Sequence, residues 1–158
     1  MSLRASIKTN LQALPLFQSG MQLLEASEGG QSVRCELVAL DSLACALTSL
    51  SLTSPAVTGL SSAELQKVAA TLSERVNYLL EPISPIETDS EGCTVQMRSM
   101  PPQKEDGRTS YYELLVSRSG GIHLTRYERT GQADRQVIAA EVTREVLLRL
   151  VGDFSAVA

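Results

Sequence analysis

Apolar positions along the chain change period several times, and each change marks an element. Leu3, Ile7, Leu11 and Leu14 recur every three or four residues, which predicts a short helix within residues 1–15 that stops before Pro15. From Leu16 the pattern turns to alternation, with Gly29-Gly30 and Leu40-Asp41-Ser42 as turns between three strands. Val33, Cys35 and Leu37 can share a core face with Leu43, Cys45 and Leu47 only across a connection of odd length. A loop over Leu40 to Ser42 would pair Cys45 with Leu37 and Cys35 with Leu47. The alternation then slips to Leu50 and Leu52, which predicts a β-bulge near Thr48-Ser49.

A helix follows. Ser61 and Glu64 have capping-box spacing, Leu65, Val68, Ala69, Leu72, Val76 and Leu79 form one stripe, and Pro82 is the expected stop. Short strands are expected near Ile83 to Thr88 and Cys93 to Ser99, joined by the turn-rich Asp89-Ser90-Glu91-Gly92. Residues 100–109, rich in Pro, Gly and charge, read as a mobile loop. Two long strand-like runs then meet at Gly120-Gly121, and another strand is expected at Gln136 to Ala139. Thr143 caps a last helix with Val146, Leu147, Leu150, Val151 and Phe154 on its apolar face and a favourable Glu145/Arg149 pair. The chain therefore reads as one α+β domain over 1–158, in which two to three helices pack on one face of antiparallel sheet. The two strand-then-helix halves echo each other in architecture without repeating in sequence.

Composition narrows the function classes. Apolar residues make up 43% of the chain but aromatics only 4%, so aliphatic packing must dominate the core. The net charge of -4 is uneven, because residues 1–97 hold ten acidic side chains against five basic ones while the remainder is nearly balanced and arginine-rich. Global attraction to nucleic acid or an anionic membrane is disfavoured, although a local arginine patch could hold an anion. Arg118, Arg126, Arg129, Arg135, Arg144 and Arg149 alternate with carboxylates, so internal ion pairs are their ordinary use. Asp41 and many Ser and Thr argue against reading Leu37 to Leu60 as a membrane span, since a central Asp costs roughly 2.5–3.5 kcal/mol. Interrupting polar residues and Pro15 argue against a signal peptide at the N-terminus. Cys35, Cys45 and Cys93 lack C-x-x-C spacing and there is a single histidine, which points to buried thiols in a cytoplasmic protein with no metal or cofactor.

No nucleophile elbow, phosphate-binding glycine loop, zincin or EF-hand spacing occurs. The chemistry instead collects on the hairpin of residues 111–129. A Ser119-Gly120-Gly121 turn would set Val116 against Leu124 and Leu114 against Arg126 on the core face. The opposite face would pair Ser117 with His123, Leu115 with Thr125, Glu113 with Tyr127, and Tyr111 with Arg129 in a cation-π contact. Tyr111, Glu113, His123, Tyr127 and Arg129 are thus the candidate binding residues for an anionic or peptide ligand. The same residues would also make an ordinary half-exposed sheet face. A general base needs an oriented partner and a nucleophile in reach, and the sequence supplies neither for His123, so no catalytic residue is assigned.

The order helix, three strands, helix, further strands, helix resembles that of the small acidic chaperones of type III secretion. That resemblance implies a non-enzymatic homodimer that holds a partner chain in extended form. The run Val142 to Leu150 is also similar to the ends of some uncharacterised small cyanobacterial proteins. The leading expectation is a non-catalytic, chaperone-like interaction module, a homodimer binding a protein or peptide by its sheet surface or a free edge. The competing expectation is a small anionic-ligand site or enzyme around His123, Tyr127 and Arg129, which requires those side chains to converge in a concavity. RNA stacking on Tyr111 and Tyr127 is a third.

Overall fold

The computed structural model describes residues 1–119 and 121–158. One antiparallel sheet carries all the strands, and three helices cover one of its faces. Helix α1 (Leu3–Ala13) leads into the meander β1 (Gln22–Glu28), β2 (Gln31–Leu40) and β3 (Ala44–Thr53). After α2 (Ser62–Arg75) come β4 (Ile83–Asp89), β5 (Thr94–Ser99), β6 (Gln103–Glu105), β7 (Arg108–Ser117) and β8 (Gly121–Thr130). Short strands β9 (Gln136–Ile138) and β10 (Ala140–Thr143) precede α3 (Arg144–Val157). Across the sheet the order is β1-β2-β3-β8-β7-β5-β4, with β6 on β7, β9 on β8 and β10 on β3.

Alternation decides which face is buried. One row of residues, Leu24, Cys35, Leu50, Leu124, Leu114 and Met97, runs in register across six strands beneath the helices. A second row runs through Ala26, Val33, Leu52, Ile122, Val116 and Val95. Helix α3 lies over β3 between the other two helices, and its Leu147, Leu148, Leu150, Val151 and Phe154 are all buried inside the chain. The apolar face of the last helix is therefore covered by the chain itself. Tyr78, which donates to Asp153 at 2.7 Å and carries the Arg149 guanidinium on its ring, ties the chain after α2 to α3.

The two meanders meet at a narrow seam. Among the described residues, Leu50 with Leu124, Ser51 with His123 and Leu52 with Ile122 join β3 to β8. Beyond Leu124 the two strands separate, and residues 136–143 fill the gap by pairing first with β8 and then with β3. Gly121 stands at the seam with φ of 71°, and a Cβ there would lie 2.0 Å from the Leu52 carbonyl oxygen. No other residue type fits that approach.

The first helix, the three-strand meander, the capping box and the bulge at Thr48 stand where the sequence places them. Several registers do not. Asp41 Oδ1 accepts from both Leu43 and Ala44 amides, so the turn starts later than expected and Cys45 faces Leu40 while Cys35 faces Leu50. A second bulge at Val38 compensates for the one at Thr48, which keeps both thiols on the core face. Helix α2 ends at Arg75, well before Pro82, because the Asn77 side chain takes the Glu74 carbonyl. The segment read as a mobile loop contains the hairpin β6–β7, turned by Asp106 and Gly107 at φ of 50° and 75°. Glu145 pairs with Arg4 rather than Arg149.

Both free edges of the sheet are blunted. On β1, the Asn10 side chain of α1 donates to the Glu25 carbonyl at 2.8 Å. On β4, Pro85 removes a donor and the pairing with β5 shifts between Pro85 and Glu87.

Where the helices no longer cover the inner face, polar groups close it. Arg126 and Glu81 pair at 3.6 Å with side chains 8% and 3% exposed. Glu81 also accepts from Ser99 and Gln103, and Arg126 Nη2 donates to Ser110 while its guanidinium stacks on Tyr112. Removing one partner strands the other charge. Arg126→Met is therefore expected to cost about 3–5 kcal/mol in urea unfolding, and the double Glu81→Met/Arg126→Met variant much less; equal losses would contradict this account. Burial pushes the Cys45 thiol up to about 11 and the Cys35 thiol further in the same direction. At neutral pH both should resist a thiol-reactive disulfide reagent until the chain unfolds, and labelling at the rate of an exposed thiol would contradict their burial.

Candidate functional site

The helix-free face of the sheet is polar, and its chemistry sits over β5, β7 and β8. Register builds it in rows. Lys104, Thr109 and Arg129 form one, Tyr111, Tyr127 and Val137 the next, Arg98, Glu113 and Thr125 the third, and Gln96, Leu115, His123 and Ser51 the fourth. Residue Arg135 lies two before Val137 and so extends the same face beside Tyr127.

This differs from the expected pairing. β7 and β8 close by setting Ser117 against Gly121, a connection of the same three-residue length as the expected Ser119-Gly120-Gly121 turn but one residue earlier, which shifts every partner by two; Gly120 itself lies outside the described residues. Faces are preserved, since a shift of two keeps the pleat, but partners change. Tyr111 faces Tyr127, with ring centroids 6.0 Å apart, and Glu113 faces Thr125. Arg129 lies across from Thr109 and donates through Nε to the Ala133 carbonyl, so the expected stack on Tyr111 does not form. Two other arginines take the rings instead. Arg98 sits 4.3 Å above the Tyr111 centroid, and Arg135 3.8 Å above that of Tyr127.

Glu113 is the hub beneath them. Its Oε2 accepts from Arg135 at 2.6 Å and from Gln96 at 3.0 Å, and it pairs with Arg98 at 3.9 Å. The carboxylate drives the Arg135 guanidinium still further above its usual range. Arg98 is less completely partnered. Its Nε is buried with no hydrogen-bond partner among the described residues, while the side chain as a whole stays 31% exposed beside the Tyr111 ring.

Above the rows lies an open depression of about 760 Å³ lined by Arg98, Lys104, Arg129, Arg135, Tyr111 and the apolar corner of Met100 and Pro102. Among the described residues Asp134 is the only carboxylate in its lining. On a chain of net charge -4, this is a local cationic basin. Tyr111, Glu113 and Tyr127 are brought together here, and Arg129 forms part of the rim. His123 is elsewhere. Four residues along β8 separate it from Tyr127, about 13 Å, and its row neighbours are Ser51 and Leu115. The basin's other main cations come from β5 and from the turn after β8. Alternation in Thr94, Gln96 and Arg98 signals a polar face, but the hairpin alone could not indicate which strand lies beside it.

Among the described residues no cluster of three or more His, Cys, Asp or Glu is placed to hold a metal ion, and no helix is long and apolar enough to cross a membrane. Comparisons with protein-family models, curated proteins and solved structures return no match. The likeness to type III secretion chaperones accordingly rests on element order alone.

The guanidinium stacks can be weighed directly. In a double-mutant cycle, Arg135→Gln and Tyr127→Leu should show a coupling of about 0.5–1 kcal/mol to stability, and strict additivity would remove the stack as an organising contact.

Proposed function

We propose that the chain is a non-catalytic interaction module that docks a partner protein on the helix-free face of its sheet. The observation that supports this reading is the cationic basin, in which Arg98 and Arg135 are immobilised on tyrosine rings while both side chains stay partly exposed. Holding a guanidinium in place before binding reduces the entropy lost when a partner arrives. Such a surface suits recognition. Catalysis would need a nucleophile and an oriented base at one point, and His123 stands apart from Tyr127 and Arg129.

Face docking is favoured over edge docking by the way the sheet ends. A partner strand added at β1 would meet the Asn10 contact, and one added at β4 would meet Pro85 and the local bulge. The open face has neither obstacle. Its hydroxyl-rich side around Ser27, Ser32, Ser51 and Thr53 extends the polar surface beyond the basin.

Capture from the native cell, read by mass spectrometry, tests the proposal when done with paired variants. A partner held by the native chain should be lost with Lys104→Glu/Arg129→Glu and kept with Ile86→Glu on the β4 edge. Loss only with the edge variant, or no reproducible partner, would overturn the reading.

A further inference from the structure

The two stacked arginines of the basin are close together. Arg135 Nη1 lies 2.6 Å and Arg98 Nη2 3.9 Å from the same oxygen, Oε2 of Glu113, so one carboxylate gathers both guanidinium ends at one place on the sheet. Both side chains remain partly exposed, at 31% for Arg98 and 39% for Arg135. Glu113 and Tyr111 engage Arg135 through Nη1 alone. One row beyond Tyr111, a step of about 7 Å along the strand, Lys104 and Arg129 flank Thr109. Their long stems let both heads turn toward the stacked pair. Among the described residues the Lys104 side chain has no hydrogen bond or ion pair, and Arg129 spends only its Nε, on the Ala133 carbonyl.

Charge narrows what these cations can hold. Against the four stand Glu113 in the floor and Asp134 in the lining, which leaves two positive charges uncompensated there. A single carboxylate would neutralise one of them. A nucleic acid or other long polyanion would have to run past Glu87 on one side or Glu36 and Glu25 on the other, all on the same helix-free face. A compact group with two negative charges and several acceptor oxygens suits the basin, and a phosphate monoester carries about -1.5 to -2 at neutral pH. Guanidinium forks match its oxygens in pairs.

We propose that the basin binds a phosphorylated side chain of the partner protein, the phosphate oxygens lying between Arg98 and Arg135 on one side and Lys104 and Arg129 on the other. This rests on reading the open face as the docking surface and adds what the partner must carry. Tyr111, 8% exposed beneath Arg98, holds the guanidinium in place and does not touch the ligand.

Methyl resonances of the full chain test this, because Met100 borders the basin while Met21, of similar exposure, precedes β1 at the far edge of the sheet. Inorganic phosphate and N-acetyl-O-phosphoserine amide should shift the Met100 signal saturably and leave Met21 in place, and acetate at the same ionic strength should bind about tenfold more weakly. Lys104→Gln/Arg129→Gln, two rim changes that leave the Arg98–Glu113–Arg135 floor intact, should weaken both phosphate probes about tenfold. Equal responses to acetate and phosphate, or none to either, would overturn the phosphate chemistry while face docking stands on its own capture test. Phosphatase treatment of the lysate before capture reads the source of the group. Loss of the partner assigns it to the partner's side chain, and an unchanged partner would overturn that assignment. Tighter binding of single-stranded oligouridylate than of the phosphoserine probe would overturn the inference in favour of RNA.

Discussion

Among the described residues, three pairs between β3 and β8 hold the two meanders in one sheet. Everything else is arranged around that seam. Gly121 permits the Leu52 carbonyl to approach it, α3 crosses above β3, and the continuous segment β9–β10 closes the gap where the strands part. The segment β9–β10 runs from β8 to β3, and the turn before it brings Arg135 to the helix-free face. That places Arg135 over Tyr127 and gives Glu113 its shortest ion pair. The cationic basin thus draws on the segment that joins the halves.

A sheet covered by helices on one side leaves its other side for a different use. Inside, two in-register rows of aliphatic side chains bury the apolar surface that stabilises the fold. Outside, the same period-two alternation delivers serine, threonine, tyrosine and arginine. Where the helix layer ends, the Glu81–Arg126 pair with its hydroxyl and amide partners replaces apolar packing. The neighbouring strands therefore carry two arginine stacks of different kinds. Arg126 on Tyr112 is sealed into the structure, whereas Arg98 on Tyr111 stays partly exposed and incompletely satisfied.

Local signals in the sequence were sufficient for elements and faces. Ser61 and Glu64, the Leu3–Ile7–Leu11 stripe and the alternation in Leu114, Val116, Ile122 and Leu124 all specify what the structure contains. Register was harder, because it depends on turn chemistry one or two residues long. Asp41 displaced one turn through its side-chain acceptor, and the β7–β8 connection sits one residue earlier than its glycines suggested, which moves every partner by two. Asp106-Gly107 did announce a hairpin by the usual two-residue turn pairing, but the surrounding prolines and charges obscured it. The site was least legible where it depends on distant partners. Tyr111 and Tyr127 could be placed on one face, yet Arg98 arrives from β5 and Arg135 from beyond β8, and neither arrangement follows from the hairpin's own residues.

The central claim is that the helix-free face is the working surface, and oxidative footprinting of the chain with and without its captured partner tests it most directly. Met100 and Met21 are similarly exposed, at 50% and 53%, but Met100 borders the basin while Met21 precedes β1 at the far edge of the sheet. The account predicts that the partner protects Met100 and Tyr127 from oxidation and leaves Met21 unchanged. Protection of Met21 with Met100 and Tyr127 still oxidised would contradict it.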